Sequence, residues 1–155
     1  MIAPVPTKMG VFTAKYSENG LCRLRFPQGK KMPIGTTLSK RQQSWHSKTQ
    51  RTVQAILIGR VPRALPPLDF SNDTDFRRRV WEMLLTIPTG TVWTYGKLAL
   101  SINKPKALRA VGGACGANPI PLIIPCHRVV GANGALVGFS AGMKWKIYLL
   151  VAEGI

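Results

Sequence analysis

Ile123-Ile124-Pro125-Cys126-His127-Arg128-Val129-Val130 is the stretch on which the reading of this chain turns. Apolar, mostly β-branched residues on both sides read as buried strand. Between them lie a thiol, an imidazole and a guanidinium. A thiol held there is shielded from water, and basic neighbours raise the fraction present as thiolate, which is the nucleophilic form. The same eight residues also fit a core cysteine beside a surface basic pair. The octet alone leaves both readings open.

Composition narrows the choice. A chain of 155 residues makes one or two small domains with a real core. Hydrophobic residues are 45% and charged residues 18%, the balance of a globular rather than a disordered chain. Twenty-two basic side chains against six acidic ones give a net charge of +16. That excess points to a polyanionic partner, nucleic acid ahead of an anionic membrane surface. The three cysteines, Cys22, Cys115 and Cys126, are odd in number and widely spaced, as expected in a reducing compartment. Met1 to Gly10 holds two prolines and no apolar core of a signal peptide, and no stretch is long enough to span a bilayer. With His46 and His127 the only imidazoles, no metal site and no cofactor are expected.

Working outward, the amino-terminal half opens on two alternating runs, Gly10–Tyr16 and Leu21–Phe26, joined through Asn19-Gly20. This is a hairpin signal, because both turn residues tolerate positive φ. Cys22 falls inside the second run and reads as structural. Pro27 to Gln43 is a basic loop. Trp45 to Gly59 reads as a helix with Val53, Ile56 and Leu57 on one face and Gly59 as its stop. Arg60 to Leu68, with Pro62, Pro66 and Pro67, reads as a linker between halves 1–70 and 71–155. The first half carries twelve basic residues against two acidic, the second ten against four.

In the second half a helix starts at Asp73-Thr74-Asp75 and buries Phe76, Val80, Trp81, Leu84 and Leu85. Arg77-Arg78-Arg79 is either a solvated face or a phosphate contact. Two short helices follow, around Lys97–Leu100 and Lys106–Ala114, separated by Asn103-Lys104-Pro105. They form a helix-turn-helix candidate, or two core helices packed through alanine. The small residues of the second, Ala107, Ala110, Gly112 and Gly113, suit sequence-neutral approach to a duplex, with Arg109 as a probe into the base stack. Asn118-Pro119-Ile120-Pro121 is a rigid turn back to the octet. Gly138-Phe139-Ser140-Ala141-Gly142 is a loop placed to wall a pocket. A last helix carries Trp145, Ile147, Leu149 and Leu150. Glu153 at its end is either a surface residue or the third member of a Cys-His relay.

Pro125-Cys126-His127-Arg128-Val129 resembles the signature of the O6-alkylguanine-DNA alkyltransferases, the methylated-DNA–protein-cysteine methyltransferases. Ile87-Pro88-x-Gly90, Tyr95-Gly96, Pro105-x-Ala107-x-Arg109-Ala110-Val111-Gly112, Asn118-Pro119, Gly134, Phe139–Gly142, Lys146 and Glu153-Gly154 follow in that family's order and spacing. The resemblance covers 71–155; Ser17–Leu21 and Pro67–Asp69 also look like the family's first domain. It implies an α+β fold: a small amino-terminal β-hairpin or sheet with a helix, then a mainly helical domain with a helix-turn-helix and a short active-site strand. It implies direct repair of alkylated double-stranded DNA, the damaged guanine rotated out of the duplex and its alkyl group moved irreversibly to sulfur, once per molecule.

The resemblance also implies roles. Cys126 matches the acceptor, His127 the base acting through a water, and Glu153 the carboxylate orienting His127. Tyr95 matches the tyrosine that turns the target phosphate and protonates the leaving guanine. Asn118 matches the asparagine tying the recognition helix to the active-site strand. DNA contacts fall to Arg109, Tyr95, Ala107, Ala110, Gly112 and Arg128. Pro121, Val137, Phe139 and Ser140 wall the substrate pocket. Phe139 stands where many members have tyrosine, and Val137 and Ala141 are bulkier than the glycines often found there, differences that bear on pocket size and on tolerance for larger alkyl groups. Alkylated thymine is a second expected substrate, and a cytoplasmic, nucleoid or nuclear monomer with no membrane and no obligate protein partner is the expected setting.

The chemistry agrees on separate grounds. Displacement at an aryl ether carbon needs a soft nucleophile in a desolvated pocket and a sequence-neutral grip on DNA, with no organic cofactor. Two rivals remain at this level. One is a lesion-sensing DNA-binding protein whose thiol is inert. The other is a cysteine hydrolase, for which no oxyanion-hole motif is recognisable.

Overall fold

Alternation in the first 25 residues builds a three-stranded antiparallel sheet: β1 (Ile2–Thr7), β2 (Gly10–Tyr16) and β3 (Leu21–Arg25), in that order. The structure is a computed structural model and describes residues 1–29 and 34–155. Val5 stands opposite Phe12 and Ala3 opposite Ala14, so one face of the sheet is buried. The β2–β3 hairpin lies where the Asn-Gly signal puts it.

β1, with Pro4 and Pro6 in it, is an addition to the sequence reading, whose first strand begins at Gly10. Even-numbered residues of β1 turn their backbone polar groups away from β2. The Ile2 carbonyl accepts from Thr36 N–H at 2.8 Å, and the Pro4 carbonyl bonds His46 Nε2 at 3.0 Å. The missing proline N–H groups therefore cost no ladder bond, which is how proline survives on an edge strand.

Helix α1 (Lys40–Leu57) starts five residues before the expected Trp45. Ser39 and Gln42 form a capping box there, an N-terminal signal independent of apolar spacing. The expected loop thus becomes helix from Lys40 on, and residues 30–33 of it lie outside the described residues. Gln42, Thr49, Thr52, Val53, Ile56 and Leu57 form the buried stripe, at three- and four-residue spacing. Gly59 ends α1 at φ 75°, and a Cβ there would lie 1.8 Å from the Ala152 carbonyl oxygen. Only glycine allows both the turn and the close approach.

The second half begins with α2 (Asp75–Leu84), capped by Thr74, whose hydroxyl accepts from Arg77 N–H at 3.3 Å. Helices α3 (Tyr95–Ser101) and α4 (Leu108–Gly116) both pack on α2. Trp81 Nε1 locks α2 to α4 by donating to the Ala114 carbonyl at 2.8 Å. Val111, Ala114 and Cys115 face inward, leaving Arg109, Ala110 and Gly113 outside. The two-residue strands β4 (Trp93–Thr94) and β5 (Val129–Val130) pair in parallel. Helix α5 (Met143–Ala152) closes the chain.

The octet is not a continuous strand. Pro125 has no N–H to give a ladder, and Cys126–Arg128 winds into a single 3₁₀ turn, with Arg128 N–H on the Pro125 carbonyl at 3.0 Å. Only Val129–Val130 is strand. The halves 1–70 and 71–155 share one hydrophobic core. Trp145 of α5 stacks edge-on against Phe12 and Phe26, and Leu24 N–H donates to the Pro119 carbonyl at 2.9 Å. The irregular segment 60–68 is likewise tied down, with Leu68 bridging to Leu21.

Candidate active site and nucleic-acid face

Asn118 builds the approach to the thiol. Its Oδ1 accepts from Ile120 N–H at 2.9 Å, and its Nδ2 donates to the Ile124 carbonyl at 2.8 Å. This brace spans Leu122, a buried leucine at φ 79°. A bulky residue with positive φ is strained and persists only where its surroundings over-determine it. The chain leaves the braced turn through Pro125 and presents Cys126, which is 6% exposed. Burial pushes the Cys126 thiol up from its usual range, against the pull of the Asn118 amide and the Lys146 ammonium.

His127 is fully buried, and its Nε2 lies 3.0 Å from Glu153 Oε1. Glu153 also receives Arg128, whose Nε reaches both carboxylate oxygens at 3.0 Å and whose Nη2 reaches Oε1 at 2.7 Å. Burial alone would raise the Glu153 carboxyl, but hydrogen bonds and charges from His127 and Arg128 overcome this and hold it at about 2. A carboxylate accepts only, so His127 Nε2 carries the ring proton. Burial lowers the His127 pKa, so the ring stays neutral and Nδ1 is left with a lone pair. That Nδ1 is buried with no hydrogen-bond partner among the described residues.

Arg128, expected among the DNA contacts, is 8% exposed and points inward. Beyond Glu153 it donates to the Ile87 carbonyl at 2.7 Å and the Thr89 hydroxyl at 3.0 Å. Its donors are spent inside the protein, because the 3₁₀ turn sends it towards the end of α5. Arg77 and Arg78 pair with Asp73 and Asp75, and Arg79 donates to the Ile102 carbonyl at 2.9 Å.

Lys146 has a larger part in the site than sequence alone assigned it. It is fully buried on α5, and its Nζ donates to the carbonyls of Val129 at 2.7 Å, Val137 at 2.9 Å and Gly138 at 3.4 Å. It joins the 137–138 loop to β5 and sets a positive charge near Cys126. The signal was present: Lys146, Leu149 and Leu150 stand at i, i+3 and i+4, so lysine occupies the buried stripe. Cys115 was also passed over. It lies on the buried face of α4, with its thiol pushed up to about 12 by burial.

The β4–β5 ladder sets Tyr95, the first residue of α3, beside the Cys126 turn. Burial raises the Tyr95 hydroxyl to about 12, which keeps its proton at neutral pH. Tyr95, Arg109, Gly112, Val137 and Gly138 line one cleft of about 630 Å³. Arg109 and Ala110 are exposed and Ala107 half-exposed on this side. The four expected pocket residues are not brought to one cavity. Val137 lines the Tyr95 cleft, whereas Pro121 and Ser140 line another of about 460 Å³ with Arg23, Arg25 and Asn118. Phe139 is half-buried, its ring 5.8 Å from Phe26. Among the described residues no group of three or more His, Cys, Asp or Glu is placed to hold a metal ion, and no helix is long and apolar enough to cross a membrane.

Fold and site together define a class: an α+β protein with a buried centre of thiol, imidazole and carboxylate beside two short helices, α3 and α4. Comparison with known proteins makes this specific. Residues 75–155 match the family described as 6-O-methylguanine DNA methyltransferase, DNA binding domain. The chain is 38% identical over 137 residues to a methylated-DNA–protein-cysteine methyltransferase of Methanosarcina acetivorans, covering 88% of this chain and 87% of that one. It is 52% identical over 81 residues to the Salmonella typhimurium protein of the same name, about half of each chain. The crystal structure of Mycobacterium tuberculosis OGT in complex with DNA superposes with a TM-score of 0.81 at 36% identity, over 97% of this chain and 90% of that one. The chain belongs to the methylated-DNA–protein-cysteine methyltransferase family.

Proposed function

We propose that this protein repairs alkylated DNA by taking the alkyl group onto Cys126, once and irreversibly. The observation that carries the reading is the proton accounting at His127. Glu153 fixes the proton on Nε2, and this leaves the buried Nδ1 as a free base one residue from the thiol. A base so placed offsets the burial that disfavours thiolate. The thiol proton passes to Nδ1 through one water, the sulfur–carbon bond forms as the carbon–oxygen bond breaks, and the electron pair leaves on the guanine. Tyr95 protonates the leaving base, and the proton held by His127 restores the tyrosine. Net, the thiol proton ends on guanine and the alkyl group on sulfur.

Recognition follows the exposed side of α4. Ala107, Ala110 and Gly112 let the helix approach a duplex closely, and Arg109 fills the stack where the damaged base has swung into the site. O6-alkylguanine is the principal substrate and O4-alkylthymine a secondary one. Residues 71–155 carry the chemistry, and residues 1–70 buttress it through the shared core. Transfer of isotope label from methylated duplex to protein tests the reading. Label should appear on wild type and be absent from Cys126→Ala, which still binds DNA. Label on Cys126→Ala would refute it.

A further inference from the structure

Four basic residues of the first half meet at one place. Lys48 and Arg51 stand three residues apart on α1 and so share a face. Arg60 and Arg63 lie on the segment that follows α1. The Thr52 hydroxyl donates to the Ala64 carbonyl at 3.2 Å, and Arg60 N–H donates to the Ala55 carbonyl at 2.9 Å, folding that segment back on the helix. The result is a cleft of about 410 Å³ lined by Lys48, Arg51, Arg60 and Arg63 with Thr52 on its wall.

No acidic residue lines this cleft, and none of the four side chains makes a hydrogen bond or ion pair among the described residues. The contrast with Arg77, Arg78, Arg79 and Arg128, each of which makes at least one bond within the protein, is direct. Like charges at helical spacing repel, and the folded-back segment adds two more. Lys48 is half-buried and Arg51, Arg60 and Arg63 are exposed, so the four side chains stand open to an incoming anion. Such an arrangement is stabilised by a bound anion. Residues 48–63 also lie outside the 75–155 segment matched by the DNA-binding domain, so that domain does not account for them.

We propose that the cleft between α1 and the 60–64 segment is a second phosphate site, which takes the phosphodiester backbone of nucleic acid apart from the α4 face. Each phosphate neutralised releases condensed counterions, so the site adds to the salt dependence of binding without adding sequence preference. The same chemistry could serve a free polyphosphate.

The test compares wild type with the combined variant Lys48→Gln, Arg51→Gln, Arg60→Gln, Arg63→Gln, and with Lys48→Gln, Arg51→Gln alone. Binding to a long unmodified duplex is measured across salt concentrations. The slope of log affinity against log salt should shrink by about 2 to 4 in the fourfold variant and by about half of that in the double variant. An unchanged slope in folded variants, checked by circular dichroism, overturns the proposal. If tripolyphosphate raises the Tm of wild type but not of the variant while the slopes agree, the nucleic-acid assignment falls. Reaction with free O6-methylguanine base, measured on the same samples, reports on Cys126 without any phosphate contact and should be unaltered by the four substitutions.

Discussion

Glu153 accepts His127 Nε2 at 3.0 Å and, through the same oxygen, Arg128 Nη2 at 2.7 Å. One carboxylate at the end of α5 thus fixes both residues that follow the cysteine. Loss of that carboxylate frees the His127 tautomer and leaves Arg128 buried without its partner. Glu153→Gln should slow alkyl transfer roughly 100-fold, the scale of a mispositioned base, with duplex affinity little changed. Transfer kinetics on a methylated oligonucleotide check this.

Acid should unfold the protein through the same pair. The folded Glu153 pKa, about 2, lies below its unfolded value, so its contribution is complete above about pH 4.5 and is lost as pH falls towards 2. The folded His127 pKa is also lowered. The unfolded chain therefore binds its proton first, and stability declines as pH drops below about 6.5. Both effects have one sign. Tm measured from pH 8 to 3 should fall in two stages, and Glu153→Gln should flatten the lower one.

Lys146→Met should leave three carbonyls, those of Val129, Val137 and Gly138, without their shared donor. A cost of about 3 kcal/mol is expected from stranded buried acceptors. The variant also loses the positive charge near Cys126. Iodoacetamide labelling of the Cys126 peptide, followed by mass spectrometry, should shift its pH midpoint upward; a fall in stability with no shift would confine Lys146 to a structural part.

Asn118→Ala removes both bonds bracing the Leu122 turn. Destabilisation of about 2 kcal/mol is expected, with transfer slowed more than DNA binding, because the turn positions the thiol rather than α4. Denaturant unfolding and anisotropy separate the two.

Arg109→Ala should weaken transfer from duplex far more than reaction with free alkylguanine. The residue is exposed, lines the Tyr95 cleft, and takes no part in the Asn118 bonds that brace the approach to Cys126. Equal loss on both substrates would remove Arg109 from the extrusion step.

How much of this was legible in the sequence depends on the range of the interaction. The hairpin, α2 and the α3–α4 pair follow from local periodicity and turn residues. β1 does not, because Pro4 and Pro6 are tolerable only once their groups are known to face an open edge. The Cys126–Arg128 segment shows the limit most clearly. Read as a strand, it sends His127 and Arg128 to opposite faces, whereas the 3₁₀ turn brings both to Glu153. Pro125 was the signal for that turn. The approach of Glu153 itself, 26 residues after His127, is set by how α5 packs, which no local pattern encodes; the residues left it open between a surface position and a relay, and resemblance to known relatives favoured the relay.

The measurement closest to the central claim is a titration of the protein with excess O6-methylguanine duplex, read by intact mass and peptide mapping. Each molecule should gain one methyl group, located on the peptide containing Cys126, with guanine restored in equal amount and no further turnover. A protein whose mass is unchanged, or one that restores many guanines per molecule while its cysteine stays free, would contradict the account.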